Sequence, residues 1–203
     1  MYRGASCSRP MPRKPLWLLP SCANINVTKR LTDMELILIR HGQAEDAAEW
    51  HADSGRSDDE RPLTDEGMKR MRRAFRGLRR ILETPDQVFV SPLTRAQQTA
   101  ELMREAYLDL PLQTIPTLRP EDAPQDTLQW LTDNLPKKAL RIALVGHEPH
   151  LSSLLALLTL GDTDGGSLPL KKGGVAILDL SQLCAGAAEL QALIPPRVLR
   201  ALG

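Results

Sequence analysis

The chain has 203 residues, with 26 lysines and arginines against 25 aspartates and glutamates, a formal net charge of +1 and 42% hydrophobic residues. This composition is typical of one soluble domain that folds without disulfides or a structural metal. The balanced charge argues against bulk attraction to nucleic acid or to an anionic membrane surface. The longest apolar run, Leu151 to Leu160, is much shorter than the ~20 residues of a membrane-spanning helix.

Three widely spaced cysteines form no C-x-x-C pair, so neither a zinc site nor a redox pair is predicted, and a cytoplasmic location is the default expectation. Residues 1–33 differ from the rest of the chain, because Met1 to Thr32 carries six basic residues, four prolines and no acidic residue. We expect either a disordered extension or a start codon placed upstream of a true start at Met34. A targeting segment is disfavoured, because Leu16 to Leu19 is shorter than the ~7 apolar residues of a signal peptide. Residues 34–203 are predicted to form a single domain.

Short apolar runs alternate with helical patterns in this domain. Continuous runs predict strands buried on both faces of a parallel sheet: Leu36 to Ile39, Val88 to Val90, Ile142 to Val145 and Val175 to Leu178. Ala188 to Ile194 is expected to add an edge strand. Apolar residues at helical spacing predict helices at Met68 to Leu82, Ala96 to Tyr107, Leu128 to Leu135 and Leu151 to Leu158. The alternation indicates an α/β fold of three layers, with a mostly parallel central sheet and helices on both faces.

Two of these helices carry candidate caps at their amino ends. Thr64 is the predicted N-cap of the first helix, with Asp65 and Glu66 in its first turn. Asp122 and Gln125 are predicted to form a capping box for the third.

Basic side chains follow several of the predicted strands. Arg40 and His41 come directly after the first strand, His147 follows the third, and Arg95 lies just beyond the second. Because the carboxyl ends of parallel strands meet at one edge of a sheet, we expect these side chains to converge there. Such a cluster of cations would repel itself without a bound anion, so it favours a phosphate site.

Nearby cations also keep a histidine neutral and therefore nucleophilic. The sequence has no G-x-x-x-x-G-K-[ST] loop. A neutral histidine within the predicted cation cluster is therefore the expected nucleophile.

The motifs around these residues resemble those of the histidine phosphatase superfamily, and in particular the small SixA-type phosphohistidine phosphatases. In order along the chain they are Leu38 to Ala44 (LIRHGQA), Arg61 to Gly67 (RPLTDEG), Ser91 to Ala100 (SPLTRAQQTA) and Val145 to Pro149 (VGHEP). The resemblance implies a phosphoglycerate mutase-like fold, a His41 nucleophile that becomes phosphorylated, and phosphoryl binding by Arg40, Arg95 and His147. It also implies hydrolysis by water without a metal or other cofactor. We expect a monomer that acts on a phosphoprotein or a small phosphorylated substrate, without nucleic acid or membrane partners.

The general acid is not identified by these motifs. Glu121, in a segment that corresponds to the place where larger family members carry a carboxylate, is a weak candidate, while Glu45, Asp46 and Glu148 are expected to be solvated. An absent acid favours phosphohistidine as the substrate, because an imidazole can leave a P–N bond already protonated whereas an alkoxide needs a proton.

Other charged residues have less specific interpretations. The first long helix carries a basic face that is either a solvated surface or a docking site for an acidic phosphoprotein: Lys69, Arg70, Arg72, Arg73, Arg76, Arg79 and Arg80. His51 and His150 are expected to be surface or structural residues, because no further ligand joins His147 and His150 to make a metal site.

Three functions stay open at this point. The first is a phosphohistidine phosphatase, the second a small-molecule phosphomonoesterase or mutase, and the third an inactive phosphoprotein-binding module. The third is disfavoured because a binding module does not need the His41 nucleophile.

Overall fold

The computed structural model describes residues 34–135, 141–163 and 168–203. The predicted extension, residues 1–33, lies outside the described residues. The strands are β1 (Met34–Arg40), β2 (Gln87–Val90), β3 (Leu112–Thr114), β4 (Arg141–Gly146), β5 (Val175–Leu180) and β6 (Ala188–Ile194). The helices are α1 (Ala47–Ser54), α2 (Asp65–Leu78), α3 (Thr94–Ala106), α4 (Pro124–Asn134), α5 (His150–Leu160) and α6 (Pro196–Leu202).

The six strands form one mixed sheet in the order β3-β2-β4-β1-β5-β6. The first four strands in this order are parallel, while β5 is antiparallel to β1 and β6 is antiparallel to β5. The α/β class and the mostly parallel sheet are therefore confirmed, and Ala188 to Ile194 is the edge strand predicted from the sequence. All helices of the described residues are too short or too polar to cross a membrane.

The orientation of β5 differs from the sequence prediction, which grouped Val175 to Leu178 with the parallel strands. The run is apolar because both faces of β5 are covered, and burial of this kind carries no information on strand direction. The reversal has a structural consequence, since it places the chain before β5 at the carboxyl end of β1. Gly173, at a φ of 75°, donates its N–H to the carbonyls of Arg40 and His41 at 3.1 and 3.0 Å.

Helices cover both faces of the sheet. One apolar cluster joins β-strand residues such as Ile37 and Val145 to α2, α3 and α6, and includes Phe75 and Leu199. The opposite cluster joins Leu38, Leu144 and other strand residues to α4 and α5. Successive strand side chains alternate between these clusters, as the pleat requires. The three-layer arrangement follows from this alternation.

The helix caps agree with the sequence in one case and not in the other. The Thr64 hydroxyl accepts the Gly67 N–H and caps α2, as predicted. The capping box at Asp122 is wrong, because α4 begins at Pro124 with Ala123 as its N-cap and without a side-chain cap. The Asp122 carboxylate instead accepts the Arg119 N–H at 2.8 Å, one turn earlier in the chain.

Helix α2 packs closely against the chain that follows β1. Gln43 accepts the Thr64 N–H at 3.0 Å, and a Cβ atom at Gly67 would lie only 2.1 Å from the same Gln43 carbonyl oxygen. The glycine is therefore needed for the close approach of α2, which holds the segment after His41 in place.

Replacement of Gly67 by alanine should force α2 away from Gln43. We expect Gly67→Ala to lower the free energy of unfolding by about 1–3 kcal/mol through overpacking, despite the better helix propensity of alanine. Urea unfolding monitored by circular dichroism measures the change. Lys69→Ala, at an exposed position of the same helix, is the matched control and should change stability by less than about 0.5 kcal/mol. Equal stability of the two variants would contradict the close-approach interpretation.

Candidate active site

The sequence-predicted residues meet at one edge of the sheet. Arg40 pairs in register with Gly146, so His41 and His147 follow adjacent parallel strands at the same level. Their ring centroids lie 4.8 Å apart. Arg95 reaches the same edge from the first turn of α3. His41, Arg95 and His147 are all buried, with exposed fractions of 6%, 4% and 2%.

His41 is held in one tautomer. Its Nδ1 lies 2.7 Å from the carbonyl oxygen of Gly42, which accepts the Nδ1 proton and leaves a lone pair on Nε2. Burial lowers the pKa of His41 from 6.5 to about 3; the Gly42 hydrogen bond opposes this shift, and the charges of Arg95, Arg40 and Lys172 add to it. The ring is therefore neutral at physiological pH and presents an unprotonated nitrogen.

His147 lies beside His41 with a partner of its own. Its Nε2 is 2.8 Å from the Ser91 hydroxyl, at the end of β2. Burial is the main cause that lowers the pKa of His147 to about 2, and the neighbouring His41 ring and the charge of Arg95 contribute in the same direction. When the Ser91 hydroxyl donates to Nε2, the proton of the neutral ring resides on Nδ1, which is buried and has no partner among the described residues. His147 then offers one free N–H donor.

The two arginines are partly satisfied by the protein. Arg40 donates from Nη1 to the Leu170 carbonyl at 2.6 Å, and Arg95 donates from Nη1 to the Asp58 carbonyl at 2.8 Å. Burial lowers the pKa of both guanidinium groups, although arginine stays charged in proteins. The Nε atom of each arginine is buried and lacks a hydrogen-bond partner in the described parts of the chain.

The unsatisfied donors are concentrated in this cluster. Within residues 34–135, 141–163 and 168–203, four buried side-chain nitrogen or oxygen atoms lack a partner, and three of them belong to Arg40, Arg95 and His147. A buried donor without an acceptor costs about 1–3 kcal/mol. A tetrahedral oxyanion offers the acceptors that these groups lack, together with the negative charge that the two guanidinium groups need.

Sequence reasoning missed the residues that hold the arginines. The Asp58 carboxylate forms ion pairs with two arginines: its Oδ2 lies 3.1 Å from Arg95 Nη2, and its Oδ1 lies 2.7 Å from Arg61 Nε. It stands in a 3-10 helix that covers the start of α3. The only sequence signal is an acidic run, Asp58 to Glu60, directly before the Arg61 motif, and nothing in that run identifies its partner.

Glu148 has a similar supporting role on the other side of the cluster. Its carboxylate accepts the Leu170 N–H at 2.7 Å and the Ser152 hydroxyl at 2.5 Å, and Leu170 in turn accepts the hydrogen bond from Arg40. The expectation that Glu148 is solvated is therefore wrong, because it is half-buried and hydrogen-bonded.

The other candidate carboxylates lie at the surface or in structural roles. Asp46 caps α1 by accepting the Ala48 and Glu49 N–H groups. Glu121 is exposed, with its carboxylate 3.6 Å from Arg119, and its assignment as general acid stays a prediction.

The remaining histidines agree with the sequence prediction. His51 is exposed on α1, and His150 is buried with its ring bonded to Thr127 and to the Asp122 carbonyl. Among the described residues, no group of three or more histidine, cysteine, aspartate or glutamate side chains is arranged to hold a metal ion.

Comparison with known proteins agrees with this geometry. The family model of the histidine phosphatase superfamily (branch 1) matches residues 36–123. An uncharacterised protein of Picosynechococcus sp. is 34% identical over 159 residues, which cover 78% of this chain and 90% of that protein. The chain belongs to the histidine phosphatase superfamily. Membership of this superfamily implies phosphatase chemistry.

Solved structures place the chain with the SixA type of this superfamily. The structure of the protein histidine phosphatase SixA complexed with tungstate is 26% identical and covers 82% of this chain and 99% of that chain, with a TM-score of 0.67. A phosphoserine phosphatase from Entamoeba histolytica in complex with 3-phosphoglyceric acid is 21% identical, covers 82% of this chain and 99% of that chain, and has a TM-score of 0.57. The second likeness shows the shared fold alone.

The lowered pKa values of His41 and His147 predict that neither ring becomes protonated near neutral pH. Their imidazole NMR signals should stay at the neutral position over the range of about pH 5 to 8, in which an ordinary histidine titrates. Because the folded pKa lies below the ordinary value, protonation favours the unfolded chain, and the free energy of unfolding should fall as the pH drops below about 6.5. His41→Asn and His147→Asn assign the signals, and a midpoint near pH 6.5 for either ring would contradict the buried neutral cluster.

The ion pair between Asp58 and Arg95 predicts that loss of the Asp58 charge weakens the binding of phosphate. Asp58→Asn keeps the backbone carbonyl but removes the charge that orients Arg95, so kcat/KM of the phosphatase reaction should fall about ten- to hundredfold. Inhibition by inorganic phosphate should weaken in parallel, while the thermal unfolding midpoint should change little. Asp59→Asn is the matched control, because the Asp59 carboxylate pairs with Arg119 instead. Normal kinetics and normal phosphate inhibition in Asp58→Asn would show that Arg95 is held without this carboxylate.

Proposed function

We propose that the protein is a metal-independent phosphohistidine phosphatase. The observation that carries the proposal is the set of unsatisfied donors on Arg40, Arg95 and His147 beside the uncharged His41. Donors that lack protein acceptors favour binding of a phosphoryl group, and a neutral imidazole beside them favours attack on phosphorus.

The proposed reaction has two steps. The Nε2 lone pair of His41 attacks the phosphorus, a new P–N bond forms, and the P–N bond to the substrate imidazole breaks with the electron pair leaving on that imidazole. Water then attacks the phosphorylated His41, which releases inorganic phosphate and restores the neutral ring. The two guanidinium groups and the His147 donor bind the phosphoryl oxygens, and the guanidinium groups supply the positive charge that a metal ion supplies in other phosphatases.

The leaving group supports phosphohistidine as the substrate. No carboxylate of the described residues occupies an unpaired, buried position beside the His41 ring: Asp58 and Glu148 are held by their own partners, and Glu121 is exposed. An imidazole can depart already protonated, whereas a sugar or glycerol alkoxide requires a proton from the enzyme. The small-molecule esterase stays the second candidate because a phosphoserine phosphatase shares the fold. A cytoplasmic location and a monomeric state stay predictions.

A substrate comparison tests the function. A peptide that carries radiolabelled phosphohistidine is compared with phosphosugars and phosphoglycerates, with a chelator present. We expect the peptide to be preferred, label to be trapped on the wild-type enzyme, and no label on His41→Ala. Preference for a small ester would favour the esterase, and phosphate binding without trapped label would favour the binding module. Loss of activity in chelator would contradict the metal-free mechanism.

The contribution of Arg95 can be tested separately. Arg95→Ala should lower kcat by about 10²- to 10³-fold, because it removes a charge-assisted donor to the transition state. Arg95→Lys should recover only part of the activity, since an ammonium lacks the planar arrangement of donors. Arg104→Ala is the control at the exposed end of the same helix, where Arg104 pairs with Glu101. Equal activity of all three variants would exclude Arg95 from the reaction.

A further inference from the structure

A groove of about 760 Å³ adjoins the candidate active site. It lies between the segment that follows His41, helix α1, the first half of α2 and helix α6, and its lining includes Gln43, Arg70, Lys172 and Arg200. Gln43 follows His41 by two residues, and the charge of Lys172 acts on His41, so the groove lies next to the segment that carries the proposed nucleophile. Its volume is typical of pockets that bind drug-sized ligands, which is far more than one phosphoryl group requires.

The two walls of the groove carry opposite charges. The wall formed by α2, α6 and the chain before β5 contributes Arg70, Lys172 and Arg200. The side formed by the segment after β1 and by α1 contributes Glu45, Asp46 and Glu49, which outnumber the one cation beside them, Arg61. Within the described residues, the basic wall is only partly neutralised by ion pairs. In the described parts of the chain, neither Lys172 nor Arg200 has a carboxylate within ion-pair distance, whereas Arg70 pairs with Glu66 at 2.8 Å.

This charge pattern discriminates between kinds of substrate. A sugar bisphosphate or a nucleotide that extended from the active site along the groove would carry its further negative charge past Glu45, Asp46 and Glu49, where like charges disfavour it. A polypeptide offers acidic groups for one wall together with amide and basic groups for the other. The groove therefore fits a peptide segment better than a small polyanion.

We propose that the groove holds the polypeptide that flanks the phosphorylated histidine of a protein substrate, with an acidic side chain of that segment paired to Arg200 and Lys172. The inference rests on the proposed function and narrows its substrate to a phosphoprotein with acidic residues beside the phosphorylated position. Because the pairing lies at a solvated groove, its contribution should decrease as the ionic strength rises.

The test uses synthetic phosphohistidine peptides of equal length, one with glutamate and one with lysine on both sides of the phosphohistidine. For the wild-type enzyme we expect kcat/KM to be higher for the glutamate peptide. Arg200→Glu should lower kcat/KM for this peptide about tenfold, mainly through KM, and should raise it for the lysine peptide. Arg200→Gln should have an intermediate effect, and added salt should reduce the wild-type preference.

Two controls separate this inference from the proposed function. Arg197→Glu makes the same charge reversal on an exposed position of α6 that does not line the groove, and should change the peptide preference less than twofold. Hydrolysis of phosphoimidazole, which cannot reach the groove, should be equal in the wild type and the Arg200 variants. If phosphoimidazole is hydrolysed but the peptide preference is absent or is unchanged in both Arg200 variants, the groove proposal is wrong and the proposed function stands. If the wild type hydrolyses neither phosphoimidazole nor the peptides, both proposals are overturned.

Discussion

The structure depends on the parallel pairing of β1 with β4. The register that sets Arg40 opposite Gly146 brings His41 and His147 out of the sheet side by side, and their ring centroids lie 4.8 Å apart. Burial makes a charged imidazole costly at either position, and two charged rings at this distance would also repel each other, so both are held neutral. The adjacent guanidinium groups strengthen this effect. The same arrangement that destabilises a protonated histidine leaves a nitrogen lone pair, which attacks phosphorus in the proposed mechanism.

The charge of the cluster is only partly balanced by the protein. Asp58 faces Arg95, and Glu148 acts on Arg40 through the backbone of Leu170 and by its own negative charge. These partners use the outer nitrogens of the guanidinium groups and leave Nε of each without an acceptor. Protein groups thus orient the arginines from outside while the inner donors stay free for a ligand, which is the preorganisation expected of a site that stabilises transition-state charge.

The reversed direction of β5 connects the active site to the neighbouring groove. Because β5 starts at the edge where β1 ends, the segment before it carries Leu170 to the Arg40 side chain and Lys172 to the mouth of the groove. Gly173 closes this contact by donating to the carbonyls of Arg40 and His41. The orientation of this one strand therefore places both the Leu170 carbonyl that supports Arg40 and the positive charge of Lys172 in the proposed peptide groove.

Much of the fold was accessible from the sequence. Continuous apolar runs and helical spacing located β1, β2, β4, β5 and β6 and helices α2 to α5. These patterns can be read from the sequence because the spacing of buried residues within one strand or helix depends only on that element. The motifs also singled out Arg40, His41, Arg95 and His147. The fold brings these residues together because Arg40 ends β1, His41 and His147 follow β1 and β4, and Arg95 lies in the first turn of α3. Short elements were missed: β3 has only three residues, and α1 has no buried residue to give it an apolar stripe.

The tertiary structure decided the features that depend on contacts between distant residues. The direction of β5 cannot be read from its apolar residues, because a strand covered on both faces has the same composition in either orientation. The pairing of Asp58 with Arg95 spans 37 positions, and that of Arg40 with Leu170 spans 130. The sequence by itself determined which groups are available for phosphoryl chemistry. Their tautomers, their neutrality and their unsatisfied donors arise only when packing removes water and brings the separate segments together.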